Sequence, residues 1–247
     1  MQTLLYIDGV DGCAAPDARA AASLPRLFCG EHVRCVEIAQ RLVLLDVSAG
    51  TYDVVDEVGT QMWQQLLRNP DERDIACLAG TYGVPSAVIA ADLADFAAAQ
   101  LAAGRLRTGE LRIPPVAPRL PRRRPTVWRA LRERAGVEQD LRRGFAVAYD
   151  KCTGPVADCA PPRLAVERLV RLFRTADGLY PAREAPLDCL PRSLALTRFL
   201  RMSGWPVTHM IGVALDPFEA HAWVELDGHP LDESPTTLLR YVTIAAA

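Results

Sequence analysis

Lysine is nearly absent from this chain of 247 residues: Lys151 is the only one among 28 basic side chains. Catalytic schemes built on a lysine nucleophile or a Schiff base therefore have one candidate at most. The seven cysteines are an odd number and form no Cys-x-x-Cys pair. Reduced thiols fit this pattern better than a disulfide framework or a zinc knuckle, which indicates a cytoplasmic compartment.

The sequence also lacks the hydrophobic segments that export or membrane insertion requires. No stretch reaches the roughly 18 uninterrupted apolar residues of a membrane span. The N-terminal segment MQTLLYIDGVDG carries acids where a signal peptide would carry bases. Since 50% of the residues are hydrophobic and 23% are charged, we expect a folded globular chain, most simply of two domains.

Charge is unevenly distributed around a net value of −2. Residues 1–112 hold 9 bases and 15 acids, which argues against nucleic-acid binding by the N-terminal region. Residues 113–125 contain five prolines and four arginines, a composition that favours an extended spacer. We therefore expect an N-terminal domain over 1–112 with an extension over 1–26, a linker over 113–125, and a C-terminal domain over 126–247.

The N-terminal part has the pattern of a small antiparallel sheet followed by three helices. Its β-forming runs cover residues 32–38, 41–47 and 51–55, and helical spacing follows over 58–67, 71–82 and 85–101. This order is that of a winged helix-turn-helix, whose third helix usually enters the DNA major groove. Here the third helix has no basic residue and carries Asp92 and Asp95, so it would repel DNA phosphates. The scaffold therefore predicts a ligand other than DNA.

The segment VLLDVSAGTYDVVDEVGTQMWQQLL, residues 43–67, resembles the PqqD-like recognition element that binds the leader of a ribosomally made peptide precursor. The similarity runs over about residues 27–112. It implies that an extended leader adds as a strand to the free sheet edge. The leader contacts that the resemblance implies lie on the edge strand and the third helix: Tyr52, Val54, Val88, Ala91, Asp92 and Asp95. Core packing is an equally open explanation for each apolar member of this set.

The C-terminal part begins with helical segments over 127–150 and 163–175, which their apolar spacing explains as packing. The stretch DCLPRSLALTRFLRMSG predicts a further helix over 188–204 with Asp188 at its N-cap. Cys189 therefore stands at a helix N-terminus, where the free N–H groups and the helix dipole stabilise a thiolate or an oxyanion. We expect its pKa to lie below the free-thiol value of about 8.5.

The residues after this helix have the period-two pattern of β-strands. Strands are predicted over 207–215 and 220–226, and His221 lies on the second of them. A third short strand, HPLDES, carries two neighbouring carboxylates, Asp232 and Glu233. A histidine and an acid thus follow the helix-start cysteine along the chain.

Together these residues permit nucleophilic acyl transfer. Cys189 would act as the thiolate, His221 as the base and later as the acid for the leaving amine, and one carboxylate would orient the imidazole. Since neighbouring strand residues point to opposite faces, only one of the two acids is expected to reach the ring; Asp232 is preferred, with Glu233 as its alternative. The alternative without catalysis is that Cys189 is a buried structural thiol. No metal site is predicted.

The stretch CLPRSLALTRFLRMSGWPVTHMIGVALDPFEAHAWVELDGHPLDES resembles the leader peptidase half of lasso-peptide B proteins, a branch of the transglutaminase-like, papain-related cysteine enzymes. Its elements CLxRSLAL, IGV, PF and AHAWVE stand in the family's order, and the similarity covers about residues 163–241. The resemblance implies that Cys189 supplies the thiol and His221 the imidazole. The family aspartate matches Asp232 or, in a gapless register, Glu233.

Taken together, the two resemblances imply an α+β protein in which a PqqD-like winged helix-turn-helix domain precedes a transglutaminase/papain-like cysteine protease domain. Such a fused B protein binds the leader of its precursor peptide, hydrolyses the leader–core bond and passes the core to a separate asparagine-synthetase-like cyclase. Transglutaminase-type acyl transfer and a non-catalytic chaperone role are the alternatives. We expect no bound cofactor and no nucleic-acid partner; any dependence on ATP would come through the cyclase.

Overall fold

The computed structural model describes residues 25–109, 124–154, 162, 164–181 and 188–247. The protein is of the α+β class, and its contacts divide it into two compact units. Among the described residues, the first unit holds residues 25–30 and 61–109. The second unit holds residues 31–60 together with those from 124 onward, so a segment from the N-terminal half packs with the C-terminal half.

The secondary structure of the N-terminal half closely matches the sequence pattern. In chain order its elements are β1 (Leu27–Cys29), β2 (Val33–Ile38), β3 (Arg41–Asp46), β4 (Thr51–Val55), α1 (Glu57–Arg68), α2 (Glu72–Tyr82), α3 (Ser86–Ala102) and β5 (Leu106–Thr108). The three predicted strands and three predicted helices are confirmed. The antiparallel pair of β1 and β5 was not predicted, because three residues carry too little periodicity to identify a strand.

Local signals in the sequence account for both ends of α2. The Asp71 carboxylate accepts hydrogen bonds from the N–H groups of Arg73, at 2.8 Å, and Asp74, at 2.9 Å. The Asp74 carboxylate accepts in return from the Asp71 N–H at 3.0 Å, which completes a capping box. At the other end, Gly83 adopts the left-handed conformation that stops a helix, with φ of 65°.

Strands β2, β3 and β4 form one antiparallel sheet in that order, so β3 is central and β4 is an edge strand. The register pairs Leu45 with Tyr52 and Val43 with Val54. The apolar run of β3 is buried throughout, which explains why it lacks the alternation of a half-exposed strand. Val43 and Leu45 belong to the same hydrophobic core as side chains of the C-terminal half. This sheet is therefore an integral part of the second unit.

The C-terminal half adds five helices and four strands: α4 (Val127–Arg143), α5 (Phe145–Thr153), α6 (Val166–Asp177), α7 (Cys189–Met202), β6 (Thr208–Ala214), β7 (Glu219–Leu226), β8 (His229–Pro230), α8 (Pro235–Leu238) and β9 (Val242–Ala246). These strands form an antiparallel sheet in the order β8-β7-β6-β9. Helix α7 is buried along most of its length and packs against α4, α5, α6 and β7. The element that begins with Cys189 thus lies at the centre of this half.

Two predictions for the C-terminal half need correction. The single helix expected over 127–150 is broken at Gly144, whose φ of 140° is a conformation that glycine tolerates and a helix interior does not. The strand expected over HPLDES ends at Pro230, and Asp232 and Glu233 follow it on a bend. Alternation between opposite strand faces therefore does not govern these two carboxylates.

The predicted boundary segments fall mainly outside the described residues. These are the extension over 1–26 and the linker over 113–125, of which only residues 25–26 and 124–125 are described. Within the described part of the chain, no single helix is long and apolar enough to cross a membrane. Helices α2 and α3 meet that criterion only as a pair, with a bend of 108° between them.

Candidate active site

Cys189 is the first residue of α7, and the helix start is arranged around its sulfur. Asp188 occupies the N-cap position, but its side chain makes no capping hydrogen bond. Its carboxylate instead pairs with the guanidinium of Arg134. The backbone N–H groups of Cys189 and Leu190 are directed at the thiol, as is that of Ala222 on β7. The sulfur therefore lies between the start of α7 and the strand that carries His221.

Burial raises the pKa of the Cys189 thiol above its ordinary value. The three backbone N–H groups act in the opposite direction, and the charge of Glu233 adds to the increase. The expected pKa below that of a free thiol is therefore wrong, because desolvation outweighs the helix terminus. Burial and the nearby carboxylate therefore favour the neutral thiol over the thiolate.

His221 lies near the start of β7, directly before the residue whose N–H faces the thiol. Its Nε2 atom is 3.5 Å from Oε1 of Glu233. This contact is at the outer limit of a hydrogen bond, and the buried Nε2 has no hydrogen-bond partner among the described residues. The ring stacks on Tyr241, with centroids 5.2 Å apart, and on Trp223, at 6.2 Å. The imidazole is thus held between two aromatic rings with its Nε2 edge toward a carboxylate.

The two candidate acids have different partners. Asp232 accepts hydrogen bonds from Arg174 Nε at 2.5 Å and from Arg192 Nη2 at 2.7 Å. Glu233 contacts His221, and its Oε1 is also 3.4 Å from Arg192 Nη2. Arg192 on α7 contacts both carboxylates, so both side chains reach toward this helix. The structure therefore places Glu233 beside the imidazole. Asp232, the acid preferred from the sequence, instead forms ion pairs with Arg174 and Arg192.

Sequence reasoning missed Arg192, which lies one helical turn after Cys189. Its guanidinium contacts both candidate acids and lies 3.9 Å from Asp177. A small pocket of about 10 Å³, roughly the space of one water molecule, is lined by this arginine together with Cys189, Ser193, Leu196, Ala222, Trp223, Val224, Asp232 and Glu233. The motif CLxRSLAL contains this arginine, but its contacts depend on a bend about 40 residues further along the chain, which the motif does not indicate.

A buried arginine fixes the N-terminal end of α7. Arg134 on α4 is 1% exposed and donates to Glu138 at 2.9 Å and to Asp177 at 3.1 Å. Its Nη2 atom pairs with Asp188, and its guanidinium lies over the ring of Tyr180. This cluster connects α4, α6 and the residue that precedes Cys189. It holds the residue that directly precedes Cys189 at the start of α7.

The second histidine of this half has a structural environment. His209 on β6 is fully buried, and its Nε2 lies 2.9 Å from Oγ of Ser193 on α7. Burial lowers the pKa of His209 to about 3, so the ring is neutral at physiological pH. His209 lies within the strand predicted over 207–215, but its hydrogen bond to α7 could not be inferred from a local pattern.

The proposed leader contacts belong to two elements, β4 and α3. On β4, Val54 is 46% exposed, whereas Tyr52 is half-buried and packs edge-on against Phe218 with ring centroids 5.4 Å apart. On α3, exposed residues recur at helical spacing along one face: Val88, Ala91, Asp92 and Asp95. Core packing therefore accounts for Tyr52 in part, but it does not account for Val54 or for this face of α3. Among the described residues, β4 pairs with β3 alone.

The described residues contain no group of three or more histidine, cysteine or acidic side chains that could hold a metal ion. The site combines a buried thiol at the start of α7 with an imidazole on β7 that faces the carboxylate of Glu233. Such a set supports nucleophilic attack on an acyl carbon and proton transfer to a leaving group.

Comparisons with known proteins match two families along the chain. The family model of the transglutaminase-like superfamily matches residues 134–246, and that of coenzyme PQQ synthesis protein D (PqqD) matches residues 41–106. No curated protein matches the chain. One solved structure, described as TbiB1 in complex with the TbiA(beta) leader peptide, is 25% identical over 34% of this chain and 98% of that chain, with a TM-score of 0.30. A TM-score of this size does not establish a shared fold. On the two family matches, the chain joins an N-terminal PqqD domain to a C-terminal domain of the transglutaminase-like superfamily.

Proposed function

We propose that this protein is a cysteine leader peptidase of lasso-peptide biosynthesis, which binds the leader of a precursor peptide and hydrolyses the leader–core bond. The observation that carries the proposal is the placement of the Cys189 thiol beside β7, on which His221 faces Glu233 at 3.5 Å. The combination of a PqqD domain with a transglutaminase-like domain supports it. So does the resemblance of residues 163–241 to the peptidase half of lasso-peptide B proteins.

In the first half of the reaction His221 takes the proton of the Cys189 thiol as the sulfur attacks the carbonyl carbon of the scissile bond. The oxyanion that forms accepts hydrogen bonds from N–H groups at the start of α7, the positive end of the helix dipole. Collapse of the tetrahedral intermediate breaks the C–N bond, and the imidazolium gives its proton to the leaving amine of the core peptide. The leader is left as a thioester on Cys189.

In the second half a water molecule replaces the amine. His221 removes a proton from this water, the hydroxide adds to the thioester carbon, and the C–S bond breaks to release the leader acid and restore the thiol. Glu233 keeps the imidazole oriented and stabilises its protonated form during both halves. The core peptide leaves with a free α-amine, which a separate asparagine-synthetase-like cyclase would consume.

Leader binding belongs to the PqqD domain in this proposal. An extended leader adds to the open edge of β4, where main-chain hydrogen bonds supply affinity and side chains supply selectivity. Tyr52 and Val54 would flank the added strand. We propose the exposed residues of α3 as further leader contacts: Val88, Ala91, Asp92 and Asp95.

The test uses the full chain, its precursor peptide and mass spectrometry of the products. We expect Cys189→Ala to abolish cleavage and to keep its affinity for a fluorescent leader, because the thiol takes no part in strand addition. Cys77→Ala is the matched control, since Cys77 is an exposed thiol on α2. A cross-linked product of increased mass would favour transglutaminase-type transfer. A wild-type chain that binds leader but never cleaves, with or without the cyclase, would favour the chaperone role.

A further inference from the structure

The edge strand that the proposed function gives to the leader belongs to the same compact unit as the candidate catalytic residues. Residues 31–60 cluster with the C-terminal half, and Val43 and Leu45 of β3 share its core with Leu194 of α7 and Val224 of β7. On β4, Tyr52 and Val54 pair with these two residues of β3 and so lie on the same face of the sheet. The leader edge is therefore built onto the peptidase core.

Three contacts fix the β3–β4 hairpin to the C-terminal half at different points. Arg41, at the start of β3, forms an ion pair with Asp216. Gly50, in the hairpin turn, approaches Phe145 so closely that an added Cβ atom would lie 2.5 Å from the ring. Its φ of 72° also favours glycine. Together with the Tyr52 contact, these points hold both ends of the hairpin, which leaves β4 little freedom to swing relative to the catalytic helix.

Tyr52 extends from β4 toward the catalytic residues. Its ring packs against Phe218, which lies in the turn before β7, three residues ahead of His221. Burial raises the pKa of Tyr52 to about 12, and the charge of Cys189 adds to this increase. The phenol is therefore a neutral hydrogen-bond donor at physiological pH, within electrostatic range of the nucleophile. Tyr52 thus connects the edge strand β4 with the turn that precedes His221.

We propose that β4 forms a fixed wall of the cleavage site, with Tyr52 as a specificity-determining residue, so that the protein measures the length of leader between the added strand and the scissile bond. This inference rests on the proposed function. The distance between the added leader strand and the Cys189 sulfur is then fixed, whereas a flexible tether would let this distance vary. A peptide paired with β4 has one preferred number of residues to reach Cys189, and a longer or shorter segment misplaces the scissile carbonyl.

A rigid spacing and a flexible tether predict different responses to precursor length. With a flexible tether, doubling the length of the connecting chain changes the effective concentration only about threefold. With a fixed wall, a displacement of about 1 Å at the reacting centre can cost about 100-fold in rate. One added residue lengthens an extended peptide by about 3.3 Å. Even a single insertion therefore distinguishes the two mechanisms.

The experiment uses the wild-type full chain and a series of precursors with one, two or four Gly or Ser residues inserted between the strand-forming part of the leader and the cleavage site. We expect leader affinity to stay constant while cleavage at the original bond falls at least 30-fold, or the cut to move toward the leader by the inserted length. Cleavage of every precursor at the original bond, at rates within about threefold of one another, would overturn the proposal.

A second arm examines Tyr52 itself. We expect Tyr52→Ala to reduce the ratio of cleavage rates between the original and the lengthened precursor, whereas Tyr52→Phe keeps the ring and most of this ratio. Tyr82→Phe, on the exposed surface of α2, is the matched control for loss of a phenol. An unchanged ratio in a folded Tyr52→Ala chain would remove Tyr52 from the proposal. Absence of Cys189-dependent cleavage of the unmodified precursor would instead refute the proposed function, so the two failures are distinguishable.

Discussion

Glu233 lies 3.5 Å from the Nε2 atom of His221, while its neighbour Asp232 is held between Arg174 and Arg192. The Glu233 carboxylate is therefore available to orient the imidazole, whereas the Asp232 carboxylate is paired with two arginines. We propose that the two adjacent acids have separate tasks. Glu233 would assist the proton transfer, whereas Asp232 anchors the bend to α6 and α7 through Arg174 and Arg192.

Conservative substitutions of the two acids should have different effects. We expect Glu233→Gln to lower kcat by about 10² to 10⁴-fold, because the imidazolium loses the charge that stabilises it. Asp232→Asn should lower kcat less than tenfold and reduce the free energy of unfolding by about 1.5–3 kcal/mol through its lost charged hydrogen bonds. Steady-state kinetics and urea unfolding of both variants provide the test. A larger loss of kcat in Asp232→Asn would reverse the assignment.

The raised pKa of Cys189 has a measurable consequence for its reactivity. A thiol reacts as its thiolate, so a pKa above the ordinary value moves the onset of reactivity to higher pH. We expect the rate of iodoacetamide labelling at Cys189 to keep rising above about pH 8.5 in the protein without substrate. Cys152 is buried and its pKa is raised to about 12, so it should stay unlabelled while the chain is folded. A Cys189 labelling rate that is already constant at pH 7 would contradict this.

Because His209 is buried, the free energy of unfolding should depend on pH. Its pKa is lowered to about 3 in the folded chain, whereas the unfolded chain protonates this ring near its ordinary value of 6.5. Protons therefore favour the unfolded state as the pH falls from about 6.5 toward 3, and the contribution of His209 to the free energy of unfolding falls by up to about 1.4 kcal/mol per pH unit. Urea unfolding of wild type and His209→Gln between pH 7 and 4.5 measures this contribution. Equal slopes for both chains would contradict it.

The Arg134 cluster should control both stability and activity. Arg134→Met leaves the carboxylates of Glu138, Asp177 and Asp188 without their shared cation, which we expect to cost about 3–5 kcal/mol of unfolding free energy. The matched control is Arg143→Met, since the exposed Arg143 is one of three cations near Asp140 and its pair should contribute less than about 1 kcal/mol. Chemical denaturation compares the two variants. A loss in Arg134→Met no larger than that of the control would contradict a positioning role for the cluster.

Much of the fold was predictable from the sequence because its signals are local. Asp71 and Gly83 mark helix ends through hydrogen bonds and φ angles that their own neighbours determine. Short stretches of chain likewise determine the β-forming runs of β2, β3 and β4 and the apolar stripe of α7. The positions of Cys189 and His221 were predictable for the same reason, because local patterns place the cysteine at a helix start and the histidine on a strand.

The remaining features depend on contacts distant in the sequence. Packing of the β2–β4 sheet against the C-terminal core could not be inferred, because the buried run of β3 indicates two covered faces but not what covers them. The contacts of Arg192 with the acids depend on a bend that interrupts an expected strand. The direction of the Cys189 pKa depends on how completely the surrounding elements exclude water. The helix terminus alone predicts a lowered pKa for Cys189, which is the opposite direction.

The mass of the intact protein after acid quenching, during turnover of its precursor peptide, tests whether Cys189 is the nucleophile of a peptidase. We expect a species heavier by the mass of the leader acyl group, located on Cys189 by peptide mapping, removed by hydroxylamine and absent from Cys189→Ala. Release of free leader and core by Cys189→Ala at the wild-type rate, with no leader adduct at any stage, would contradict it.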